Sequence, residues 1–393
     1  MILRVIAIVI VGMAVNVYIP VAPSILGALV DYQGLDVDVA GRLIAYNFWG
    51  GAAGSVFAML VLHRPGWNLR ATMFACLMLV VLTSGASVWF AGDVPLLAAV
   101  RFANGIGAGL GFTVSCVAAI GTPRIERTYA ILYGSPFLIS GAGLALLPHV
   151  YRAHGIEGAF YGMGFLSLAC IALLPLFPKT VTREEPRAAD AAGVAGVGAR
   201  TLAAVALAGL LLHYLFNSGI WTYFERIGVA AGMTPETAGA ILGPGMSAAI
   251  FGMIAASLLG DRLGYMKPIY LGTTAITLAT IALLASSSQV VFGLATAVFN
   301  ASITFVTPYM VAILALLVPS GVGVTAANVA TIVGFAAGPF LVSFMVAGGA
   351  FAPAIVVTAA GFVLVLFLYV WFVRRLGQQP GYERLKALCA VEH

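Results

Sequence analysis

About twelve runs of ~20 apolar residues, each closed by a short polar turn, occupy this chain almost from end to end. A run of that length crosses the ~30 Å hydrocarbon core of a bilayer as a helix, since only a helix satisfies its own backbone hydrogen bonds there. Of 393 residues, 62% are hydrophobic and 8% charged, with mean hydropathy +1.05. Soluble domains carry roughly 25% charge, so a water-soluble fold would need one very large core under almost no polar surface. The expected fold class is all-α integral membrane, with spans near 5–30, 40–62, 71–91, 95–119, 129–151, 157–177, 201–226, 238–260, 269–286, 289–317, 321–346 and 352–373. The first run is too long for a cleavable signal and is interrupted by Asn16, Pro20 and Pro23, so it reads as a span.

A duplication orders these spans. Residues 40–70 match residues 238–268 at one ungapped offset, with identities Ala40/Ala238, Gly41/Gly239, Gly54/Gly252, Ala58/Ala256, Leu60/Leu258, Arg64/Arg262 and Gly66/Gly264. Two related membrane halves are the layout of a secondary transporter, which places its solute between them. The longest polar stretch, 179–200, carries charges, Pro186 and small residues, and reads as a flexible linker. It divides the chain into six-helix bundles at 1–178 and 201–375, followed by a tail at 376–393.

Lys and Arg orient the whole. With the N-terminus inside, 15 of the 19 basic residues fall on the cytoplasmic side, three (Arg42, Arg152, Arg226) on the other, and Arg101 within a span. Cytoplasmic loops carry the basic excess, so both termini are expected in the cytoplasm and the span number is even. The net charge of +5 belongs to those loops and not to a nucleic-acid face. Cys76, Cys116, Cys170 and Cys389 are far apart and show neither metal nor redox spacing. No cofactor is expected. Gly105, Gly107, Gly109 and Gly111 alternate in span four; small residues four apart let helix backbones approach closely, whereas a nucleotide-binding glycine loop would need a preceding strand.

The turn Gly260-Asp261-Arg262-Leu263-Gly264, its first-half copy with His63 in place of the acid, and Arg101-Phe102-Ala103-Asn104-Gly105-Ile106-Gly107 resemble motifs of the major facilitator superfamily. Gly334-x-x-x-Gly338-Pro339 resembles that family's antiporter signature, though in span eleven and not span five. The resemblance covers nearly the whole chain. It implies twelve helices in two pseudo-repeats, a central cavity lined by spans 1, 4, 7 and 10, and turns that set the inward/outward equilibrium through Arg64, Asp261 and Arg262.

Polar side chains at membrane depth are costly and each needs a reason. Arg101 lies ~10 Å into span four, where an arginine costs ~3 kcal/mol on insertion scales. It is a structural guanidinium, a contact for an anionic solute, or a modulator of a proton site; no Asp or Glu lies deep in any span to pair with it. Span seven has the densest polar face, with His213, Tyr214, Asn217, Trp221 and Glu225. His213 lies ~18 Å in, and histidine ordinarily titrates near pH ~6.5, so it is a proton carrier, a solute contact or a neutral packing residue. Asn16 and Tyr18 in span one, Asn47 in span two, and Asn300 and Thr304 in span ten complete the candidate solute path, each with interhelical hydrogen bonding as its plainer role. Glu225 and Arg226 form either an outer gate or a solvated helix end.

These features point to a monomeric, multi-pass transporter of the bacterial inner membrane, surrounded by lipid. It would carry a small organic, amphipathic or anionic solute by alternating access, with protons as the coupling ion. Multidrug or metabolite efflux by proton antiport is the neighbouring alternative, and a transport-inactive receptor or sensor is the alternative from another class. Neither a deep nucleophile–base pair nor a metal cluster suggests an enzyme. The topology has a direct check: a membrane-impermeant thiol reagent added outside should label a cysteine placed at Asp36 and spare one at Ala189, and the reverse pattern would invert the orientation.

Overall fold

The structure, a computed structural model, describes residues 2–61, 67–122, 125–180, 197–318, 322–379 and 382–389. His63, Arg64 and Gly66 of the first-half turn, and 181–196 of the linker, lie outside the described residues. The described residues form fifteen α-helices and short 3-10 turns. They run α1 (Ile2–Asn16), α2 (Ala22–Gln33), α3 (Val37–Val61), α4 (Leu69–Trp89), α5 (Val94–Ile120) and α6 (Ile125–Cys170). Then come α7 (Val197–Trp221), α8 (Phe224–Ala230), α9 (Pro235–Ser247), α10 (Ala249–Leu259), α11 (Met266–Ala282), α12 (Gln289–Leu317), α13 (Val322–Ser343), α14 (Ala352–Gly377) and α15 (Glu383–Leu388).

Ten of these helical segments are long and apolar enough to cross a membrane. One of them, α6, is two helices joined across a kink at Gly155, whose φ of 63° would strain an L-residue. The first apolar run, in contrast, is broken: α1 stops at Asn16 and α2 begins at Ala22, with Pro20 between them unable to donate a backbone hydrogen bond. Polar caps start several of the long helices. Asn68, Asp93 and Ser288 accept from the amides of Ala71, Leu96 and Val291, satisfying donors that the first helical turn leaves free. The outward faces are apolar, with Phe165 and Phe251 each 72% exposed, a surface suited to lipid and not to water.

The chain packs as two compact units. Unit one comprises Met1–Glu184, Thr222–Gly243 and Pro339–Gly349; unit two comprises Glu185–Trp221, Pro244–Gly338 and Ala350–His393. Unit one thus takes in two pieces that the sequence reading assigns to the second bundle: 222–243, because α8 packs on α2 and the start of α9 on α6, and 339–349, whose 3-10 turn Ala347–Gly349 packs on α3. Its centre is the α3–α5 contact. A Cβ on Gly50, Gly54, Gly105 or Gly109 would run into the backbone carbonyl of Phe102, Ile106, Asn47 or Gly51 respectively. Small residues are required there because the two backbones touch.

In unit two, α7 packs on α14 and α12, α10 on α12, and α11 on α12 and α14. Gly252, the repeat partner of Gly54, meets the Ala301 carbonyl of α12 just as Gly54 meets that of Ile106 in α5. The duplicated glycine therefore makes the same contact in each half. Gly334 and Gly338 face the Leu211 and Leu215 carbonyls of α7, so the signature-like glycines of span eleven are helix-packing residues.

The α3–α5 contact predicts a sharp contrast. Gly105→Ala should destabilise the purified protein by ~1–3 kcal/mol through overpacking. Gly85→Ala, with nothing within 4 Å of the added methyl, should leave the melting temperature unchanged or raised. Equal melting temperatures in the two variants would refute the close approach.

Candidate functional site

One buried cation of unit one, Arg101, sits two turns into α5, whose start is fixed by the Asp93 cap and by Pro95 in the first turn. Arg101 is 2% exposed. Its guanidinium lies 4.2 Å from the Tyr18 ring centroid and 5.1 Å from that of Phe160, held between two aromatic faces. Nη1 donates to Ser87 Oγ at 3.3 Å and Nη2 to Asn104 Oδ1 at 2.9 Å, while Nε has no partner. The Asn104 amide donates to Thr83 Oγ1 at 2.8 Å. Asn47 reaches across from α3, donating to the Arg101 carbonyl at 2.9 Å and to Asn104 Oδ1 at 3.1 Å. Every partner of the guanidinium is neutral, and among the described residues no carboxylate pairs with it.

Tyr18 and Arg101, singled out separately in the sequence, are thus direct neighbours. Asn47 joins them in a different capacity: its amide is committed to α5 and positions Asn104. Asn16, at the end of α1, is half-buried, and its side chain makes no hydrogen bond among the described residues. Asn104, Ser87, Thr83 and Phe160 were not singled out. Asn104 carries a signal that would have found it, since it stands three residues from Arg101 on the same helical face.

At one end of unit one a second charged group is buried. Arg226 donates from Nη1 and Nη2 to the two carboxylate oxygens of Asp31 at 2.6 and 2.8 Å, and from Nε and Nη2 to Glu225 at 2.5 and 2.6 Å. Glu225 and Arg226 are 2% and 5% exposed, so they are not a solvated helix end. The Glu225 carboxylate lies over Gly27 of α2, where any Cβ would collide with it. Beside it the Tyr223 hydroxyl fills the space over Gly41 and donates to the Pro339 carbonyl at 3.2 Å.

Unit two holds the remaining candidates. His213 is fully buried with its ring 5.7 Å from Phe362, which places it in the α7–α14 seam with neither nitrogen hydrogen-bonded. Tyr214 shares a hydrogen bond of 3.1 Å with Thr307, and Trp221 stacks on Phe299 at 6.5 Å. Asn300 donates to the Thr296 carbonyl of its own helix at 2.9 Å, and Thr304 to the Ala249 carbonyl of α10 at 2.6 Å. Asn217 is buried on α7, and its side chain makes no hydrogen bond among the described residues. Asp261 and Arg262 are exposed in the α10–α11 turn and form no ion pair among the described residues.

The family model described as Major Facilitator Superfamily matches residues 5–327. A comparison with curated protein sequences finds no match. Among solved structures, the nucleoside transporter NupG aligns with a TM-score of 0.73 over 95% of this chain and 99% of that one, at 10% identity. The inward-open xylose transporter XylE from E. coli gives 0.73 over 98% of each chain at 14% identity. A D-xylose-proton symporter gives 0.65, covering 94% of this chain and 96% of that one, at 15% identity. Identities that low speak to the fold alone. The family match, together with multiple apolar spans in the fold of known transporters, establishes that this chain belongs to the major facilitator superfamily and is a multi-pass membrane protein of the transporter type.

Proposed function

We propose that this protein is a monomeric secondary active transporter of the bacterial inner membrane, moving a small anionic or amphipathic organic solute by alternating access with protons as the coupling ion. The observation that carries this reading is Arg101. A fully buried guanidinium flanked by two aromatic rings, bonded only to neutral groups and with Nε unfilled, is suited to a carboxylate or phosphate brought by the solute. Tyr18 would contact the same ligand; within unit two, Tyr214, Asn217, Trp221, Asn300 and Thr304 are the proposed solute contacts.

The twelve-span count follows from taking α6 as two spans about Gly155 and α1 with α2 as one broken span. The halves at 1–178 and 201–375 are then the pseudo-repeats, with both termini cytoplasmic. In this arrangement Asp31, Glu225 and Arg226 form the outer gate. Glu225 is the better-placed proton carrier of the two coupling candidates, since protonating it removes one of the two anions that hold Arg226. His213, packed against Phe362, suits a neutral structural ring.

Affinity for organic acids, read by thermal shift, tests the central claim, because a bound ligand stabilises by mass action. Arg101→Lys should retain weakened binding, since a point charge survives without the planar fork. Arg101→Gln should lose anion binding while remaining folded; unchanged affinity for every anionic ligand would defeat the reading.

The outer network has its own test. Arg226→Gln leaves two carboxylates facing each other without their cation and should cost ~3–5 kcal/mol, as broken buried pairs do. Adding Glu225→Gln should restore part of that loss. If the two substitutions combine additively, the three charges do not act as a unit.

A further inference from the structure

Arg101 Nε is not the only buried polar atom of its neighbourhood without a hydrogen-bond partner among the described residues. The hydroxyls of Tyr151 in α6 and Ser24 in α2 are in the same condition, and both residues are 3% exposed. The Tyr151 hydroxyl has Ser24 within reach and Tyr18 and Glu225 as titratable neighbours, while its ring packs 6.2 Å from that of Tyr32. Tyr18 in turn lies against the Arg101 guanidinium. A buried hydroxyl left without a partner forfeits ~1–3 kcal/mol of hydration, so two of them beside an unfilled guanidinium nitrogen call for an explanation.

Ser24 also opens the face of α2 that leads to the charged network. Ser24, Gly27 and Asp31 recur at i, i+3 and i+7, on one side of the helix. The Glu225 carboxylate lies over Gly27, whose position is ~4.5 Å along the axis from Ser24, and Asp31 holds Arg226. With two carboxylates to one guanidinium, that network carries negative charge in excess. Arg101 carries positive charge with no anion. The nearby pairs Arg152–Glu236 and Arg42–Asp38 are each neutral as pairs. The buried charge of unit one is therefore dipolar, and the Tyr151 hydroxyl neighbours both ends, Tyr18 on the Arg101 side and Glu225 on the other.

We propose that the solute is zwitterionic, its carboxylate bound by Arg101 and its ammonium group held by the Tyr151 and Ser24 hydroxyls on the side of Glu225. An ammonium brings three donors and no acceptor, which matches hydroxyl oxygens whose lone pairs are unused. A solute with a carboxylate alone satisfies Arg101 and leaves the negative excess of the network uncompensated. A zwitterion compensates both ends, and in a low-dielectric interior that difference is larger than in water. The proposal narrows, and rests on, the reading of Arg101 as the solute contact, and the test separates the two.

Purified full-length protein is titrated, with thermal shift as the readout, against the ω-amino acids from glycine to 6-aminohexanoate and against the unsubstituted carboxylates of the same lengths, acetate to hexanoate. At least one amino acid should bind about tenfold or more tightly than its matching carboxylate. Tyr151→Phe and Ser24→Ala should each cut that preference to about threefold or less while leaving carboxylate affinity unchanged, and neither should lower the melting temperature, since each deletes a hydroxyl without a partner. Arg101→Gln should abolish binding of both series. Equal affinity within every matched pair, no binding by any amino acid, or a preference that survives both hydroxyl deletions would overturn the zwitterion; carboxylate binding that still depends on Arg101 would then leave the anion reading intact. Unchanged affinity for both series in Arg101→Gln would overturn both.

Discussion

Two backbones in contact organise unit one. Where α3 and α5 cross, glycine hydrogens face carbonyl oxygens, and no side chain of any size fits between them. In lipid, where helices gain little from hiding apolar surface, such close packing replaces the hydrophobic effect as the source of cohesion. The arrangement also determines the chemistry nearby. Only because α3 lies against α5 can the Asn47 amide reach the Arg101 carbonyl and Asn104, and Asn104 in turn holds one arm of the guanidinium. The buried cation is thus aimed by a seam of glycines one turn away.

The buried charges divide into two kinds. Arg226 is surrounded by anions, two carboxylates within hydrogen-bonding distance, so the network as a whole tends toward negative charge and binds its cation tightly. Arg101 has aromatic faces and neutral oxygens in place of anions. The same residue type is therefore saturated in one position and unsaturated in the other. That difference suits Arg226 to holding helices together, and it is the ground on which Arg101 is proposed as the solute contact.

Much of this could be read from the sequence, and the parts that could not have physical reasons. Apolar length marked the spans, and the Gly54/Gly252 identity marked a contact made against a carbonyl in both halves. Helical spacing put Arg101 and Asn104 on one face but could not say which neighbouring helix that face meets. For the same reason His213 was legible as buried and mid-span, yet its place against Phe362 was not. The Asp31–Arg226 pair joins residues 195 apart in sequence, and nothing local to either announces it. Asn47 read as a solute contact because a buried amide looks the same in sequence whether it faces a cavity or a helix.

The borders between the two compact units carry one more consequence. The chain passes from one unit to the other inside α9 between Gly243 and Pro244, and inside α13 between Gly338 and Pro339. At each border a residue without a side chain precedes one without an amide hydrogen, so the helix loses both a rung of its ladder and the bulk that would stiffen it. A third border, between Trp221 and Thr222, falls in the break separating α7 from α8. The Gly-Pro step that resembles an antiporter signature is explained by what its glycine packs against, the Leu215 carbonyl of α7, and such a role is indifferent to which way a solute travels.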